Sequence, residues 1–548
     1  MQKHKKIFNA SNTSIASSKS ENLELPKYIV ATRNDGFGER MCALLNAMYI
    51  AQKTGLIFKF NWDNDIGPLT KKMTHESNVF LPTAGIQDVR EVFSTQFIKK
   101  YFDNNLPSNN LTSFYSHYSS LNFFLDTPTQ NGILQTGQFY LSHLTDINQK
   151  EYRSSLSNIW NSIEFSSNLT FTKEKAHTIA NNLEEFIAIH IRGGDLIYKE
   201  IDTYIAKYKG LSIYLAIEII QNNSTKNIVC FSDDNQSLYK LKQYCKNIVI
   251  VDDIADKKLS ALERTFFEIN LMSKAVCIYS SGNSGFARLS SMIGNIQDIS
   301  IYNYFSKQQQ YEIFDKYIKK YEFNPKVKAF GYMHLYDLSI ILNKSPKITK
   351  DYIHNAVLLA PDNVIYKILF LHALLLNKEY NKANDFLGWI LDSTYSINFQ
   401  KEFLSYEWNR TVNKYPHTYL FIFSYFITPY SNIGLLYPNL MIFSNLITLG
   451  AIDYLKTLTS IDYTDNSLLH SVLTYLNIIK SSKKLLKNSN NNLKNTINIS
   501  SFSYLKDEIN FITKKYRFIK IKKFIYRKIH KIIHLKTKLI HNIFKIVQ

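Results

Sequence analysis

One apolar run that ends in polar residues constrains the fold of this chain most. It spans residues 187–195 and reads IAIHIRGGD. Its β-branched and small apolar residues predict a buried strand, and His190, Arg192 and Asp195 cluster towards the strand's carboxyl end. Open α/β sheets bind ligands beyond the carboxyl ends of their strands. Because Arg192 offers a planar fork for phosphate oxygens and two glycines allow a backbone to approach closely, the run predicts a phosphorylated ligand at this edge.

Strand-like and helix-like runs alternate from about residue 27 to residue 300, which is typical of α/β layers. Strands are predicted at 28–31 and 56–60 around a helix over 41–54, and a second unit has strands at 186–191, 227–232, 247–251 and 275–279. These two Rossmann-like halves, with a cleft between them, predict a GT-B-like pair of domains. Residues 112–144 are expected to be insertions and loops.

After residue 305 the pattern becomes helical, and an A-x-x-x-x-P-x-N junction at 356–363 is similar to a tetratricopeptide repeat. The expected fold is α/β, with the GT-B-like pair followed by an all-α C-terminal region. The expected segments are a disordered leader at 1–26, an N-terminal Rossmann-like domain at 27–175, a second Rossmann-like domain at 176–305, a helical domain at 306–485, an Asn-rich linker at 486–504 and a basic tail at 505–548.

Charge is distributed unevenly along the 548 residues, whose formal net charge is +20. Residues 513–548 contain twelve Lys or Arg and no Asp or Glu. Apolar residues recur there at helical spacing, so the tail predicts an amphipathic helix on an anionic membrane surface. A solvated helix docked on its own protein is the alternative, and no nucleic-acid motif accompanies the charge.

The four cysteines are scattered without a CxxC pair, and the amino terminus has no apolar signal region. Both features predict a cytoplasmic protein. The basic tail and the missing signal together predict that it is peripheral on the inner face of the bacterial inner membrane. The uncharged stretch 417–452 is interrupted by Pro429 and Pro438, which favours buried core helices over a membrane span.

Two further strands end in polar residues. The first, 228–232, leads into Asp233 and Asp234; a carboxylate here would match the N–H donors of a guanine edge, or would cap the following helix. The other leads into the turn 279–288, where hydroxyls and backbone amides at a helix start suit phosphate. For the strand that ends at 191, the alternatives are a core histidine at His190 and a surface ion pair at Arg192.

Together these motifs resemble the donor site of the GDP-fucose fucosyltransferase superfamily. The resemblance comprises HxRxGD at 190–195, the strand end FSDD at 231–234 and the helix start SSGNS at 280–284. The glycine turn at 36–39, its helix and the strand ending at Trp62 are similar to bacterial nodulation-type α-1,6-fucosyltransferases and related α-1,2-fucosyltransferases. The resemblance covers about residues 27–300. This chain differs from the family at Gly193, where the family has a second Arg, and at Glu39, where it has Asp or Asn.

The resemblance implies a role for each matching residue. His190 and Asp234 would hold the guanine, and Arg192 would grip the β-phosphate. The remaining donor-binding residues would be Gly36, Phe37 and Gly38, in a loop that closes over the donor, and Ser281, Asn283 and Ser284, which line the diphosphate pocket. Arg192, Glu39 and Asp195 are the expected catalytic residues, with Glu39 and Asp195 as candidates for a general base.

The expected function is therefore an inverting, metal-independent transfer of a sugar, fucose first among the candidates, from a GDP-sugar to a glycan acceptor in bacterial surface polysaccharide or lipooligosaccharide synthesis. No cofactor is expected beyond the GDP-sugar co-substrate. Two alternatives stay open. Asp63 and Asp65 form a DxD pair that could share a cation with another nucleotide-sugar. Alternatively, the chain is an inactive peripheral-membrane scaffold.

Overall fold

The computed structural model of the chain describes residues 23–62, 87–106, 112–113, 120–198 and 208–392. The chain divides between Lys367 and Ile368 into two compact units. Both parallel sheets belong to the first unit.

The first parallel sheet has four strands in the order β3-β2-β6-β4, and a two-stranded antiparallel ladder joins β1 and β5. The strands in chain order are β1 (Leu23–Glu24), β2 (Tyr28–Ala31), β3 (Ile57–Phe60), β4 (Thr112–Ser113), β5 (Thr129–Gln130) and β6 (Ile133–Gln135). The sequence predicts β2 and β3 correctly. It misses β6, which pairs with β2 near the sheet's centre but has only three residues and follows Gly132 at a φ of 66°.

The second parallel sheet has five strands in the order β11-β10-β7-β8-β9. They are β7 (Phe186–Ile191), β8 (Asn227–Ser232), β9 (Ile248–Ile250), β10 (Cys277–Ser280) and β11 (Gln297–Ser300). All six residues of β7 are buried, as a strand covered on both faces requires. Four of these strands follow the sequence prediction to within two residues, and β11 is additional.

Helices lie between successive strands along the chain, as is usual in α/β folds. Those up to the second sheet are α1 (Phe37–Thr54), α2 (Val89–Val92), α3 (Thr95–Tyr101), α4 (Leu121–Leu125), α5 (Gln149–Ser162) and α6 (Ser167–Asn182). Those of the second sheet are α7 (Gly194–Tyr198), α8 (Ile213–Asn222), α9 (Asn235–Tyr244), α10 (Val251–Ile254), α11 (Ala261–Met272), α12 (Gly285–Gly294) and α13 (Ile301–Tyr304). Helix α1 begins at Phe37, four residues before the predicted start.

Between the second sheet and residue 392 the chain forms only helices: α14 (Lys307–Lys320), α15 (Pro325–Ile341), α16 (Pro346–Leu359), α17 (Val364–Leu376) and α18 (Tyr380–Asp392). In the second unit, the rings of Phe370 and Phe386 pack edge to face with centroids 5.0 Å apart. Helices stand where the tetratricopeptide-like pattern predicts them, and the repeat itself stays a prediction. The all-α region beyond residue 392, the linker and the basic tail lie outside the described residues.

One apolar core joins the four-stranded sheet to helices that follow the second sheet's strands. Phe37 of α1 packs edge to face on Phe266 of α11, and Trp160 of α5 stacks on that same ring. Leu289 and Met292 of α12 belong to this core as well. Helices α11 and α12 therefore tie the start of α1 to the edge of the five-stranded sheet. In the part of the chain that the structure describes, no helix is long and apolar enough to cross a membrane.

Candidate functional site

The three polar motifs follow three neighbouring strands. Strand β7 lies between β10 and β8, and all three run parallel, so their carboxyl ends meet at one edge of the sheet. Arg192 follows β7, Asp233 follows β8 and Ser281 follows β10. The three motifs therefore lie side by side at one edge of the sheet.

A cavity of about 340 Å³ opens at this edge. Its lining residues are His190, Arg192, Ser232, Asp233, Asp252, Asp256, Lys257, Leu259, Ala261, Arg264, Thr265, Glu268 and Phe286. The volume lies within the range of small-molecule sites. Seven of the thirteen lining residues are charged, so the cavity suits a polar or charged ligand. Of the predicted donor-binding residues, His190 and Arg192 line this cavity.

His190 forms one wall of the cavity together with an aromatic ring. Its imidazole lies flat on Phe286, with centroids 5.2 Å apart and planes 6° from parallel. Burial, with help from the charge of Arg192, lowers the pKa of His190 to about 3, so the ring is neutral at physiological pH. Its buried Nδ1 bonds to no described residue. A neutral ring with an open nitrogen suits a hydrogen bond to a base or sugar hydroxyl.

The loop after β7 is fixed from both sides. The backbone amides of Gly193 and Gly194 donate to Oδ1 of Asp233, over 2.9 and 3.0 Å. The carbonyl of Arg192 accepts from the amide of Leu211 at 3.0 Å. The two glycine amides, which the sequence leaves open to a ligand, thus already have a partner in the chain. Asp195 lies on the short helix α7, and its side chain is outside the described residues.

Asp234 caps helix α9. Its carboxylate accepts from the amide and the hydroxyl of Ser237, over 3.0 and 2.5 Å, and from the hydroxyl of Tyr198 at 3.0 Å. The helix-cap interpretation is confirmed for this residue. Its contact with guanine stays a prediction.

The cavity lining includes an ionic cluster that is not predicted from the sequence. Asp252 pairs with Nη1 of Arg264 at 3.1 Å and with Lys257 at 2.7 Å, and Arg264 also donates to the carboxylate of Glu268. Burial raises the pKa of Glu268 to about 7, although Arg264 opposes the shift. Arg264 and Glu268 are four residues apart on α11, which is the only signal of the pair in the sequence.

The glycine turn before α1 is packed against the second sheet's helix α12. Gly36 is the extended residue that precedes α1, and Phe37 is 1% exposed between Trp62 and Phe266. A Cβ on Gly38 would lie 2.7 Å from the carbonyl carbon of Gly285. Phe37 and Gly38 therefore serve the contact between two helices; their predicted role over the donor stays a prediction.

Glu39 lies in that same contact and has two cationic partners. Its Oε2 accepts from Nη1 of Arg288 at 2.7 Å, and its Oε1 accepts from Nζ of Lys209 at 3.1 Å. Burial favours a raised pKa for Glu39, but Arg288 and Lys209 outweigh it and hold that pKa below its usual range. Glu39 therefore stays a carboxylate at neutral pH. Neither cation is predicted from the sequence as a functional residue.

The turn after β10 places three predicted phosphate ligands beside this cluster. Ser281 donates through Oγ to the carbonyl of Lys209 at 2.8 Å, and Asn283 is half-buried. Ser284 precedes α12, and its buried Oγ bonds to no described residue. Phe286, two residues further along, reaches the cavity. The start of α12 thus links the cavity to Glu39.

Among the described residues, no three His, Cys, Asp or Glu side chains come together as metal ligands would. Asp63 and Asp65 lie outside those residues, so the DxD alternative is a matter for experiment.

No protein-family model matches the sequence, and no curated protein matches it. Among solved structures, the chain is similar to the fucosyltransferase NodZ from Bradyrhizobium, at 13% identity and a TM-score of 0.30 over 48% of this chain and 92% of that one. It is similar to NodZ α-1,6-fucosyltransferase soaked with GDP-fucose, at 14% identity and a TM-score of 0.28 over 49% and 92%. It is also similar to POFUT1 in complex with GDP-fucose, at 12% identity and a TM-score of 0.26 over 50% and 95%. These values are too low to assign a function.

Proposed function

We propose that this chain is a glycosyltransferase that moves a sugar, fucose first among the candidates, from a GDP-sugar to a glycan acceptor. The observation that carries the proposal is the charged cavity at the carboxyl edge of the five-stranded parallel sheet. Such edges bind nucleotides in open α/β sheets. Some side chains at this edge suit a nucleotide base, and others suit phosphate.

One carboxylate of the cavity lining suits guanine. Glu268 is buried and lines the cavity, and its carboxylate has lone pairs beyond the one that Arg264 occupies. Guanine presents two adjacent donors, the ring N1–H and the exocyclic amine, which one carboxylate can accept together. Uracil presents a single ring N–H between two carbonyls. The neutral His190, which also lines the cavity, supplies a further polar contact.

The strand ends suit a diphosphate. Arg192 follows β7, lines the cavity and provides a guanidinium for the phosphate oxygens. Ser281, Asn283 and Ser284 follow on the neighbouring strand end, where hydroxyls and amides precede α12. With the base inside and the diphosphate along this path, the sugar of the donor would lie towards Glu39.

The proposed reaction inverts the anomeric centre in one displacement. An acceptor hydroxyl attacks the anomeric carbon from the face opposite the diphosphate, the carbon–oxygen bond to the β-phosphate breaks, and its electron pair goes to the phosphate oxygen. Arg192 stabilises the charge that grows there, without a metal ion. The hydroxyl proton passes to a base, for which Glu39 and Asp195 are the candidates.

We place the acceptor in bacterial surface polysaccharide or lipooligosaccharide synthesis, at the inner face of the inner membrane. This part rests on the basic tail. Deleting residues 505–548 should release the protein from anionic liposomes and leave its binding to neutral liposomes unchanged; undiminished binding to anionic liposomes would contradict the membrane role.

The proposal is tested by offering GDP-fucose, GDP-mannose and a UDP-sugar with EDTA present and following release of the nucleotide diphosphate. Release of GDP without metal supports the proposal. Release only of UDP, or only after a divalent cation is restored, would favour a DxD enzyme through Asp63 and Asp65. No release and no nucleotide binding would favour the scaffold.

A further inference from the structure

The segment 208–212 connects the two predicted phosphate-binding strand ends. The amide of Leu211 donates to the carbonyl of Arg192 after β7, and the carbonyl of Lys209 accepts from Oγ of Ser281 after β10. A third bond, from the hydroxyl of Tyr302 to the carbonyl of Gly210 at 3.1 Å, holds the segment from behind. The backbone of Lys209 is therefore fixed between the residues that would contact the donor's diphosphate.

The side chain of Lys209 shares its carboxylate partner with a second cation. Glu39 accepts from Nζ of Lys209 at 3.1 Å and from Nη1 of Arg288 at 2.7 Å. The backbone bond from Leu211 to the carbonyl of Arg192 brings the same segment to the strand end that carries Arg192. Ammonium and guanidinium groups both form charge-assisted hydrogen bonds with phosphate oxygens.

The two cations differ in how firmly they are held. Arg288 is 5% exposed and stacks on the ring of Phe139, so it is fixed in the protein. Lys209 is 33% exposed and ends in a flexible four-carbon stem. Since Arg288 by itself gives Glu39 a close, buried partner, Lys209 can leave Glu39 for an incoming anion without leaving that carboxylate unpaired.

We propose that Lys209 is the second diphosphate-binding cation of the donor site, held on Glu39 until the donor arrives. The inference rests on the proposed function, since it needs a nucleoside diphosphate in the cavity. It assigns to Lys209 a direct contact with phosphate oxygens beside Arg192. The buried Oγ of Ser284, which bonds to no described residue, belongs to the same turn as Ser281, directly before α12.

The test compares GDP with guanosine, which carries the base and no phosphate. Isothermal titration of wild type and Lys209→Ala with both ligands should show GDP weakened about tenfold or more and guanosine unchanged. Lys209→Arg, which keeps the charge, should restore GDP binding to within about threefold of wild type. The melting temperature of each variant checks that the fold is retained.

Lys53→Ala is the matched control. Lys53 is likewise a half-exposed lysine paired with a glutamate, Glu151, but it lies at the opposite end of α1 from Glu39. It should leave both affinities unchanged. Equal GDP binding by wild type and Lys209→Ala, or an equal loss of guanosine and GDP, would overturn the inference. Absence of any guanine-nucleotide binding by the wild type would instead contradict the proposed function.

Discussion

Two regions of the first unit contain glycines beside charged residues. One region borders a cavity, and the other is a packed contact between helices. At the end of β7, Gly193 leads into a loop whose Arg192 lines a cavity. At the start of α1, Gly38 lies against Gly285 so closely that a Cβ would overlap its backbone. The same pattern of glycine and charge thus marks a ligand edge in one place and a helix contact in the other.

The difference lies in what surrounds the charges. Glu39 at the start of α1 is enclosed and has two cationic partners within the protein. Arg192 and His190 at the strand end face open volume. We therefore expect substitutions beside the cavity to affect the ligand first, and substitutions at the packed glycine contact to affect folding first. Substitutions in each region, and a titration at the cavity, test this division.

Replacing Arg192 should affect catalysis far more than folding. We expect Arg192→Ala to raise the activation barrier by about 3–4 kcal/mol, which lowers the rate about 10²–10³-fold, because the charge of the departing phosphate loses its preorganised cation. The measurement is kcat/KM for GDP-sugar turnover beside a thermal melt. Arg90→Ala, at an arginine whose side chain is 84% exposed, is the control. A loss of less than about threefold for Arg192→Ala would refute the assignment.

Replacing Gly38 should affect folding far more than catalysis. Gly38→Ala forces a methyl group against the backbone of Gly285, and such overpacking costs about 1–3 kcal/mol of unfolding free energy. Urea denaturation measures the loss. Gly193→Ala is the comparison, because its nearest contact would be the flexible end of Ile197 at 3.3 Å. Equal destabilisation by both substitutions would contradict the claim that the contact between α1 and α12 requires glycine at position 38.

The pH dependence of donor binding should follow the protonation of Glu268. The proposed guanine contact needs Glu268 as a carboxylate, and the pKa of Glu268 is raised to about 7, so a proton must be lost on binding at lower pH. Affinity therefore falls as pH falls, and the dissociation constant should be about tenfold larger at pH 6 than at pH 8. A GDP-sugar is the right ligand, since it lacks the terminal phosphate that titrates near pH 6.

Other groups at the cavity should not produce this effect. The pKa of His190 is about 3, and bonds from Lys257, Tyr239 and Arg264 overcome burial to keep the pKa of Asp252 below its usual range. Glu268→Gln should weaken binding at pH 8 and abolish the dependence, whereas Asp256→Asn should retain it. An unchanged slope in Glu268→Gln would assign the titration elsewhere.

Much of the second sheet is predictable because its strands are long, buried and apolar, with polar residues at their ends. Strand β11 is not predicted because its sequence, QDIS, is polar and no residue of it is fully buried. Strand β6 is not predicted because its three residues lie within 112–144, where the sequence indicates insertions and loops. At the site, His190 and Arg192 are found because they stand at the end of a strand. Glu268 and Lys209 are missed because only the packing of α11 and of segment 208–212 brings them to that edge.

A guanine-nucleotide site at the carboxyl edge of the five-stranded sheet should reveal itself as thermal stabilisation. The protein is melted with GDP, UDP, GDP-fucose and GDP-mannose in the absence of metal. A ligand at about 100 times its dissociation constant adds about 2.7 kcal/mol of stability. We expect the midpoint to rise with GDP and its sugars and to stay unchanged with UDP. An unchanged midpoint with every ligand would contradict a nucleotide site at this edge.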